Sequence, residues 1–190
     1  MIANFIENCN FPAENKLRTM QKTIKLLLSF LLINGLIFSY SCITDDEPEP
    51  RTFEDEMAEL DALLVKLNNE GFTLDTTEMG VYYLVQEPGE GPFPQTGDTC
   101  FIDFTGYLSN GVIFESSEEF YDNGIWKFVF GNPEIIPGLE DGIAHMNKGA
   151  KIEMIIPSNL AYGAKGTANI PPYTTLLYTS KMHDLRPKEQ

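Results

Sequence analysis

A proline followed by a glycine, Pro137-Gly138, constrains the fold of this chain more than any other dipeptide in it. Proline fixes φ and suits the first turn of a helix. Leu139, Ile143 and Met146 follow at helical spacing, and Lys148-Gly149 supplies a basic residue and a stop signal after them. The sequence therefore predicts a short amphipathic helix that ends before Lys148, with its apolar face in the core.

Two isoleucines, Ile135 and Ile136, lead into that helix. The first N–H groups of a helix have no intrahelical acceptor. The isoleucines could therefore form an apolar wall beside a free backbone donor, which would seat a small apolar ligand by its carbonyl group. The alternative is that both side chains only fill a core.

Short strand-like segments surround the helix, and Ser109-Asn110-Gly111 is typical of a hairpin turn. The predicted strands cover residues 80–85, 100–108, 112–114, 126–130, 150–157 and 176–182. Such a pattern predicts an α+β domain in which a curved antiparallel sheet wraps around one short helix.

A longer helix is predicted ahead of this domain. Thr52 and Asp55 fit a capping box, and an apolar stripe follows. The stripe consists of Phe53, Met57, Leu60, Leu64 and Leu67. We expect it to pack on the following domain, and dimerisation through the stripe is the alternative.

The region before the helix resembles a targeting segment. In residues 16–38 basic side chains precede an apolar run that is too short for an ordinary membrane span. Ser39 and Ser41 precede Cys42, as at a bacterial lipoprotein processing site, although Tyr40 departs from the usual pattern. The sequence thus predicts a start at Met20, lipidation of Cys42 and a lipid-anchored protein of the bacterial cell envelope, in the outer membrane and facing either the periplasm or the surface. Ordinary secretion and an uncleaved anchor are the alternatives.

Composition excludes several classes of function. The formal net charge of −15 argues against a nucleic-acid partner, which would require a basic face. The chain has no P-loop, no dinucleotide fingerprint and only two histidines, so neither a cofactor nor a metal is expected. What remains is an aromatic surplus of 13 Phe, 8 Tyr and 1 Trp. Any catalysis would have to come from an apolar pocket.

An ordered set of motifs resembles the FKBP-type peptidyl-prolyl isomerases over residues 86–183. The motifs are Thr105-Gly106-Tyr107-Leu108, Phe114-Glu115-Ser116-Ser117, Phe128-Val129-Phe130-Gly131, Ile135-Ile136-Pro137-Gly138, Ala161-Tyr162-Gly163 and Ile170-Pro171-Pro172. Together with the predicted targeting segment and N-terminal helix, the resemblance divides the chain into four parts. These are an upstream extension with a signal peptide (1–41), an acidic disordered tether (42–52), a helix with a lead-in strand (53–85) and an isomerase domain (86–187).

The resemblance implies that the chain accelerates rotation about X–Pro bonds without a covalent step. It places Phe104, Glu115, Ile136 and Tyr162 at catalytic positions, with the Ile136 N–H and the Tyr162 hydroxyl holding substrate. It places further substrate contacts at Phe114, Trp126, Ile135, Leu139, Ile170 and Tyr178. Proline-containing polypeptides are the implied substrates, a macrolide is a candidate ligand, and a monomer is expected.

Each of these residues also has a simpler interpretation. Phe104 and Phe114 could be core, Trp126 could cover a sheet face, and Glu115 could be a solvated turn residue. Phe104 stands where most members have tyrosine, Glu115 where they have aspartate, and Leu139 where they have tryptophan. These departures leave a non-catalytic or weakly active peptide-binding lipoprotein as the alternative function.

Overall fold

An antiparallel sheet with a short helix against one face and a longer helix against the other forms the described part of the chain. The computed structural model describes residues 50–131 and 135–189. The predicted signal segment, the lipidation site at Cys42 and most of the tether lie outside these residues. Within them, no helix has both the length and the apolar character needed to cross a membrane.

The helices and strands follow the order α1 Phe53–Asn69, β1 Asp75–Thr76, β2 Tyr82–Glu87, β3 Thr99–Leu108, β4 Ile113–Ser116, α2 Ser117–Phe120, β5 Trp126–Val129, α3 Pro137–Ile143, β6 Lys151–Ile156 and β7 Leu176–Arg186. Short 3₁₀ turns cover Asp122–Gly124 and Ser158–Leu160. The strand order in the sheet is β1-β2-β6-β7-β3-β4, and β5 pairs with β3. The α+β class with a sheet around one short helix and an N-terminal helix is confirmed.

Strand β3 is paired with other strands along both of its edges. Along one edge it pairs with β7, from Thr99 opposite Arg186 to Leu108 opposite Leu176. The other edge is shared, since β5 pairs with its first half and β4 with its second half. The Phe104 N–H lies between these two partners and donates to the Ser117 Oγ at 3.0 Å, so this buried amide is not left unpaired.

The core forms in two parts because β6 and β7 are buried on both faces. Ile152, Met154 and Ile156 belong to the main core with α3, whereas Ile155, between them in sequence, packs in a second cluster with α1. Successive side chains of a strand point to opposite faces, which explains this division. The core prediction for the short helix is confirmed, because Leu139, Ile143 and Met146 are buried. Phe128, Ile152 and Leu176 are buried with them.

The N-terminal helix α1 begins as predicted, with the Thr52–Asp55 capping box complete. Leu60 and Leu67 of its stripe are buried, but Phe53 is 45% exposed. The sequence pattern did not predict the burial of Glu56, which is fully buried beside the stripe. Charged residues are seldom buried without partners, so a carboxylate at this position was not anticipated.

Helix α3 is shorter than predicted. It ends at Ile143, before Lys148 as predicted, but the placement of Met146 on the helix is wrong. The following N–H groups of His145 and Met146 bond to the carbonyls three residues earlier, so the chain tightens into turns. Met146 nevertheless stays fully buried, as the apolar spacing requires.

Two glycines let α3 approach β6. A Cβ added at Gly138 would lie 2.3 Å from the Ile156 Cγ2, and one added at Gly142 would lie 2.2 Å from the Met154 Sδ. Both distances are too short for two non-bonded atoms in a packed interior. The helix could not sit at this depth with a side chain at either position.

We expect Gly138→Ala to lower the free energy of unfolding by about 2–3 kcal/mol, because the new methyl group overpacks the core against Ile156. Gly71→Ala is the control, since its methyl would meet nothing within 4 Å and only the φ of +88° costs free energy, about 1 kcal/mol. Urea unfolding of both variants checks this. A Gly138 variant no less stable than the Gly71 variant would contradict the close approach.

Candidate active site

The predicted apolar wall is assembled from six parts of the fold. Strands β3, β4, β5 and β7 supply Phe104, Phe114, Trp126 and Tyr178, and α3 with its lead-in supplies Ile135, Ile136 and Leu139. Tyr162 and Ile170 come from residues 157–175, the connection between β6 and β7. The structure places all nine in one hydrophobic cluster. The sequence prediction of which residues lie together therefore agrees with the structure, while their roles stay predictions.

The nine side chains differ in exposure, which separates the bottom of the pocket from its rim. Phe104, Leu139, Ile170 and Tyr178 are buried. Phe114, Trp126, Ile135, Ile136 and Tyr162 are only partly buried and pack against the others. A ligand would therefore contact the second group at the surface and the first group below it.

Aromatic packing fixes the orientation of Trp126. Its ring stacks on Phe128 with centroids 4.2 Å apart, and the edge of Phe104 meets it at 5.7 Å. Tyr121, in the connection between β4 and β5, stacks on the indole at 6.1 Å. The sequence did not indicate Tyr121, because this contact depends on how the connection folds back onto β5.

Gly106 on β3 leaves room for the aromatic ring of Phe114 to pack on the sheet. A Cβ at Gly106 would lie 2.7 Å from the Phe114 Cζ and 3.1 Å from the Glu115 Cγ. The Phe114 ring therefore lies directly over the β3 backbone. Its edge-to-face contact with Tyr178, at 5.8 Å, completes this side of the pocket.

Glu115 is the carboxylate of the site, and its partner is the Tyr178 hydroxyl, which donates to Oε1. Tyr178 lies on β7 opposite Gly106 of β3, and Glu115 lies on β4 opposite the same glycine. A hydroxyl thus reaches the carboxylate from β7 although position 104 has none. The sequence analysis assigned Tyr178 only to the wall, because pairing across two strands cannot be read from spacing.

Burial is the main cause of the pKa shifts of Glu115 and of the tyrosines near it. Desolvation raises the pKa of Glu115, and the Tyr178 hydrogen bond offsets part of that effect. Burial, followed by the nearby Glu115 charge, raises the pKa of the Tyr162, Tyr121 and Tyr178 hydroxyls. All three tyrosines are therefore neutral hydrogen-bond donors at physiological pH.

The backbone at Ile136 has the geometry expected for a free donor. Ile136 is the N-cap of α3, with φ −62° and ψ 137°, and its carbonyl accepts from the Leu139 N–H at 3.1 Å. Within residues 50–131 and 135–189, its own N–H has no hydrogen-bond acceptor. This amide lies between the exposed faces of two isoleucines, so it could bind a carbonyl oxygen.

Other chemistry has no support in the described residues. Cys100 is buried, and burial together with Asp98 and Glu140 raises the pKa of its thiol to about 12, so it is not a nucleophile at neutral pH. No cluster of three metal-ligating side chains occurs in the described part of the chain. The site can bind, orient and desolvate a ligand.

Comparison with known proteins gives the same family for this domain. Residues 91–183 match the model of the FKBP-type peptidyl-prolyl cis-trans isomerase family. FKBP-type peptidyl-prolyl cis-trans isomerase FkpA of Escherichia coli K12 is 36% identical over 112 residues, which are 59% of this chain and 40% of FkpA. A probable FKBP-type isomerase of Haemophilus influenzae is 33% identical over 121 residues, 63% of this chain and 48% of that protein. The chain thus matches less than half of the length of these curated relatives.

Solved structures agree with the fold. The crystal structure of Escherichia coli FkpA gives a TM-score of 0.59 at 29% identity and covers 72% of this chain and 64% of FkpA. A peptidyl-prolyl cis-trans isomerase from Pseudomonas syringae gives 0.56 at 25% identity, covering 69% of this chain and 96% of that one. AtFKBP13 gives 0.53 at 28% identity, covering 60% and 98%.

We expect the stability that Glu115 contributes, relative to Glu115→Gln, to fall as pH rises. The pKa of Glu115 in the folded state is raised above its ordinary value of 4.5. Between pH 4.5 and that raised pKa the folded chain therefore binds more protons than the unfolded chain, and protonation favours folding. The contribution is largest near pH 4.5 and is lost as pH passes through the folded-state pKa. Urea midpoints of both proteins between pH 4 and 8 measure the difference.

The exposed Glu119 provides a control for net charge, as Glu119→Gln on α2. A difference between wild type and Glu115→Gln that grows in favour of wild type as pH rises would contradict the burial of this carboxylate.

Proposed function

We propose that this chain, which belongs to the FKBP-type peptidyl-prolyl cis-trans isomerase family through residues 91–183, catalyses rotation about X–Pro bonds in polypeptides. The observation that carries the proposal is that the nine wall residues lie in one hydrophobic cluster, with the Ile136 N–H at its rim and no acceptor for that N–H among residues 50–131 and 135–189. Family membership alone gives the reaction class, and the pocket gives the residues.

The reaction needs a surface that stabilises a twisted amide. The barrier to rotation is about 20 kcal/mol and comes from resonance between the amide nitrogen and the carbonyl. Twisting breaks that conjugation and makes the bond less dipolar. A dry aromatic wall therefore favours the twisted state over the planar one. No proton transfer and no covalent intermediate are required, in keeping with a site that contains one carboxylate and several neutral tyrosines.

We assign the residues of the site by their exposure and hydrogen-bonding capacity. The proline ring enters against Trp126 and the buried Phe104, and the Ile136 N–H donates to a substrate carbonyl. The Tyr162 hydroxyl is half-buried and neutral, so it can donate to the substrate backbone. Ile135, Phe114 and Ile170 bound the ring, while Leu139 lies at the bottom and offers less stacking area than an aromatic residue.

Glu115 acts through its charge and its partner. The Tyr178 hydroxyl holds the carboxylate in place, and the buried charge sets the local field at the rim. A negative charge there disfavours a second carbonyl oxygen nearby and thus orients the amide that is to be twisted. Apolar residues such as Phe and Leu before the proline suit the aromatic rim.

A second candidate is a peptide-binding protein with little turnover. Leu139 is buried at 4% exposure where most members have a tryptophan, so the pocket holds its shape with less aromatic area. Tight macrolide binding without isomerisation would favour this candidate over the enzyme.

We also propose that the chain is a lipid-anchored monomer of the bacterial envelope that acts on exported proteins. The support is in the sequence before residue 43, where basic residues, an apolar run and small residues precede Cys42. The stripe of α1 packs against the sheet of its own chain, and this leaves less apolar surface for dimerisation.

We expect the purified chain to accelerate cis–trans isomerisation of Leu-Pro and Phe-Pro tetrapeptides in a protease-coupled assay. Trp126→Leu should lower kcat/KM by about 10-fold, since the loss of aromatic stacking is worth about 1 kcal/mol or more. Phe101→Leu is the matched control. Phe101 lies on β3 with Phe104 but on the opposite face, under Arg186 at 4.5 Å.

A rate at the uncatalysed level for the wild-type chain would exclude the enzyme. Equal losses in the Trp126 and Phe101 variants would exclude this pocket as the site.

We expect radioactive palmitate to label the chain when it is expressed in a Gram-negative bacterium, and the Cys42→Ser variant to remain unlabelled. The label requires a thiol at the processing site, and Cys100 is buried and keeps a raised pKa. Labelling that persists in Cys42→Ser would contradict the proposed anchor.

A further inference from the structure

The connection between β6 and β7 carries two residues of the proposed pocket, Tyr162 and Ile170, and it lies outside the sheet. The backbone hydrogen bonds within it join residues of the connection to one another. The Gly163 N–H donates to the Ser158 carbonyl at 2.8 Å, and the Tyr173 N–H donates to the Gly163 carbonyl at 2.9 Å. A connection held only by its own turns would leave the position of Tyr162 relative to Ile136 weakly determined.

One buried carboxylate fastens both ends of this connection. Glu56 of α1 is fully buried, and its Oε1 accepts from the Ser158 N–H at 2.6 Å and from the Thr175 hydroxyl at 2.8 Å. The Ser158 hydroxyl donates to its Oε2. Ser158 begins the connection and Thr175 ends it. A single side chain from a distant part of the sequence therefore closes the loop at its base.

A second set of contacts holds the far part of the connection. Tyr173 has a φ of +51°, a conformation that non-glycine residues rarely adopt. Its carbonyl accepts from the Arg51 Nε at 2.9 Å, and its ring meets Phe53 edge to face at 6.4 Å. Arg51 is in turn paired with Glu59 of α1 at 2.5 Å. The start of α1 thus stabilises a strained residue in the segment that carries Tyr162 and Ile170.

The hydrophobic attachment of α1 to the sheet does not need these contacts. Leu60 and Leu67 already bury the helix against Ile155 and Leu177. A buried carboxylate costs free energy unless all its acceptors are satisfied, so a polar residue at position 56 is a poor choice for stability alone. Its hydrogen bonds are directed at the two ends of the connection and not at the sheet.

We propose that α1, which lies outside the matched residues 91–183, positions the wall of the pocket, and that Glu56 is its principal positioning residue. The proposal rests on the proposed function for its effect on catalysis. Its structural part is that Glu56 and Arg51 restrain residues 158–175. Glu56 does not touch substrate; it acts through Ser158 and Thr175 on Tyr162 and Ile170.

The test compares Glu56→Ala, Glu56→Gln and the control Asp61→Asn, which neutralises an exposed carboxylate on the same helix. Glutamine keeps an acceptor for the Ser158 N–H and the Thr175 hydroxyl, so it should rescue most of the effect. Two measurements are made on each purified full-length chain, namely kcat/KM for a Leu-Pro peptide and amide hydrogen exchange.

We expect Glu56→Ala to lower kcat/KM by roughly 10-fold to 100-fold, because misplacement of a pocket residue by about 1 Å can cost about 100-fold. The Gly163 and Tyr173 amides should exchange at least about 10-fold faster, as expected when a local unit opens while amides in β3 and β7 keep their protection. Glu56→Gln and Asp61→Asn should stay within about 2-fold of wild type, the usual range for changes that leave geometry intact.

The two measurements separate failure of this inference from failure of the proposed function. Wild-type exchange rates in the connection of Glu56→Ala would overturn the inference, and so would faster exchange throughout the sheet, which would indicate a general stability role. A wild-type chain without isomerase activity would overturn the proposed function, and exchange would still decide the structural part. If Glu56→Ala does not fold, two other variants test the inference. Thr175→Val removes a hydroxyl that donates to Glu56, and Arg51→Met removes the group that donates to the Tyr173 carbonyl. Both are expected to speed exchange of the Gly163 and Tyr173 amides, and unchanged exchange in both would overturn the inference.

Discussion

The close approach of α3 to β6 is the constraint on which the rest of the structure depends. Gly138 and Gly142 leave room for Ile156 and Met154, and this depth brings Leu139 and Ile143 into the main core. Because the helix begins at Pro137, its N-cap is Ile136, whose N–H has no acceptor among residues 50–131 and 135–189. The same packing that stabilises the domain therefore places an apolar wall and a hydrogen-bond donor at the surface.

Around that wall, the site concentrates aromatic surface and keeps charge to a minimum. Glu115 is its carboxylate, and Tyr178 reaches it from β7 across Gly106 of β3. The pocket thus retains a hydroxyl–carboxylate pair even though residue 104 is a phenylalanine. Further from the pocket, the fully buried carboxylate of Glu56 accepts from donors that all lie at the base of the connection that carries Tyr162. One partly buried acid therefore lies in the site, and one fully buried acid lies beneath a segment that contributes to it.

Sequence reasoning found the parts that depend on local pattern and ordered motifs. The Thr52–Asp55 cap and strand β3 follow from local spacing, and the nine wall residues follow from the resemblance of the ordered motifs; the structure brings the nine together. It failed where distant segments meet. Glu56 looks like a surface charge on an amphipathic helix, and only the fold shows Ser158 and Thr175 opposite it. Similarly, the Tyr178–Glu115 bond depends on the register between β3, β4 and β7, which no single segment encodes.

The central claim is that binding in this pocket lowers the barrier to rotation about a prolyl bond. The most direct measurement is NMR exchange spectroscopy on a Leu-Pro peptide at equilibrium with a catalytic amount of the chain, since uncatalysed exchange takes tens of seconds or longer. If the pocket catalyses this rotation, exchange cross-peaks between the cis and trans resonances appear only in the presence of the chain. They vanish when a macrolide fills the pocket. Peptide resonances that shift on binding while no cross-peaks appear would contradict the central claim and leave a peptide-binding protein.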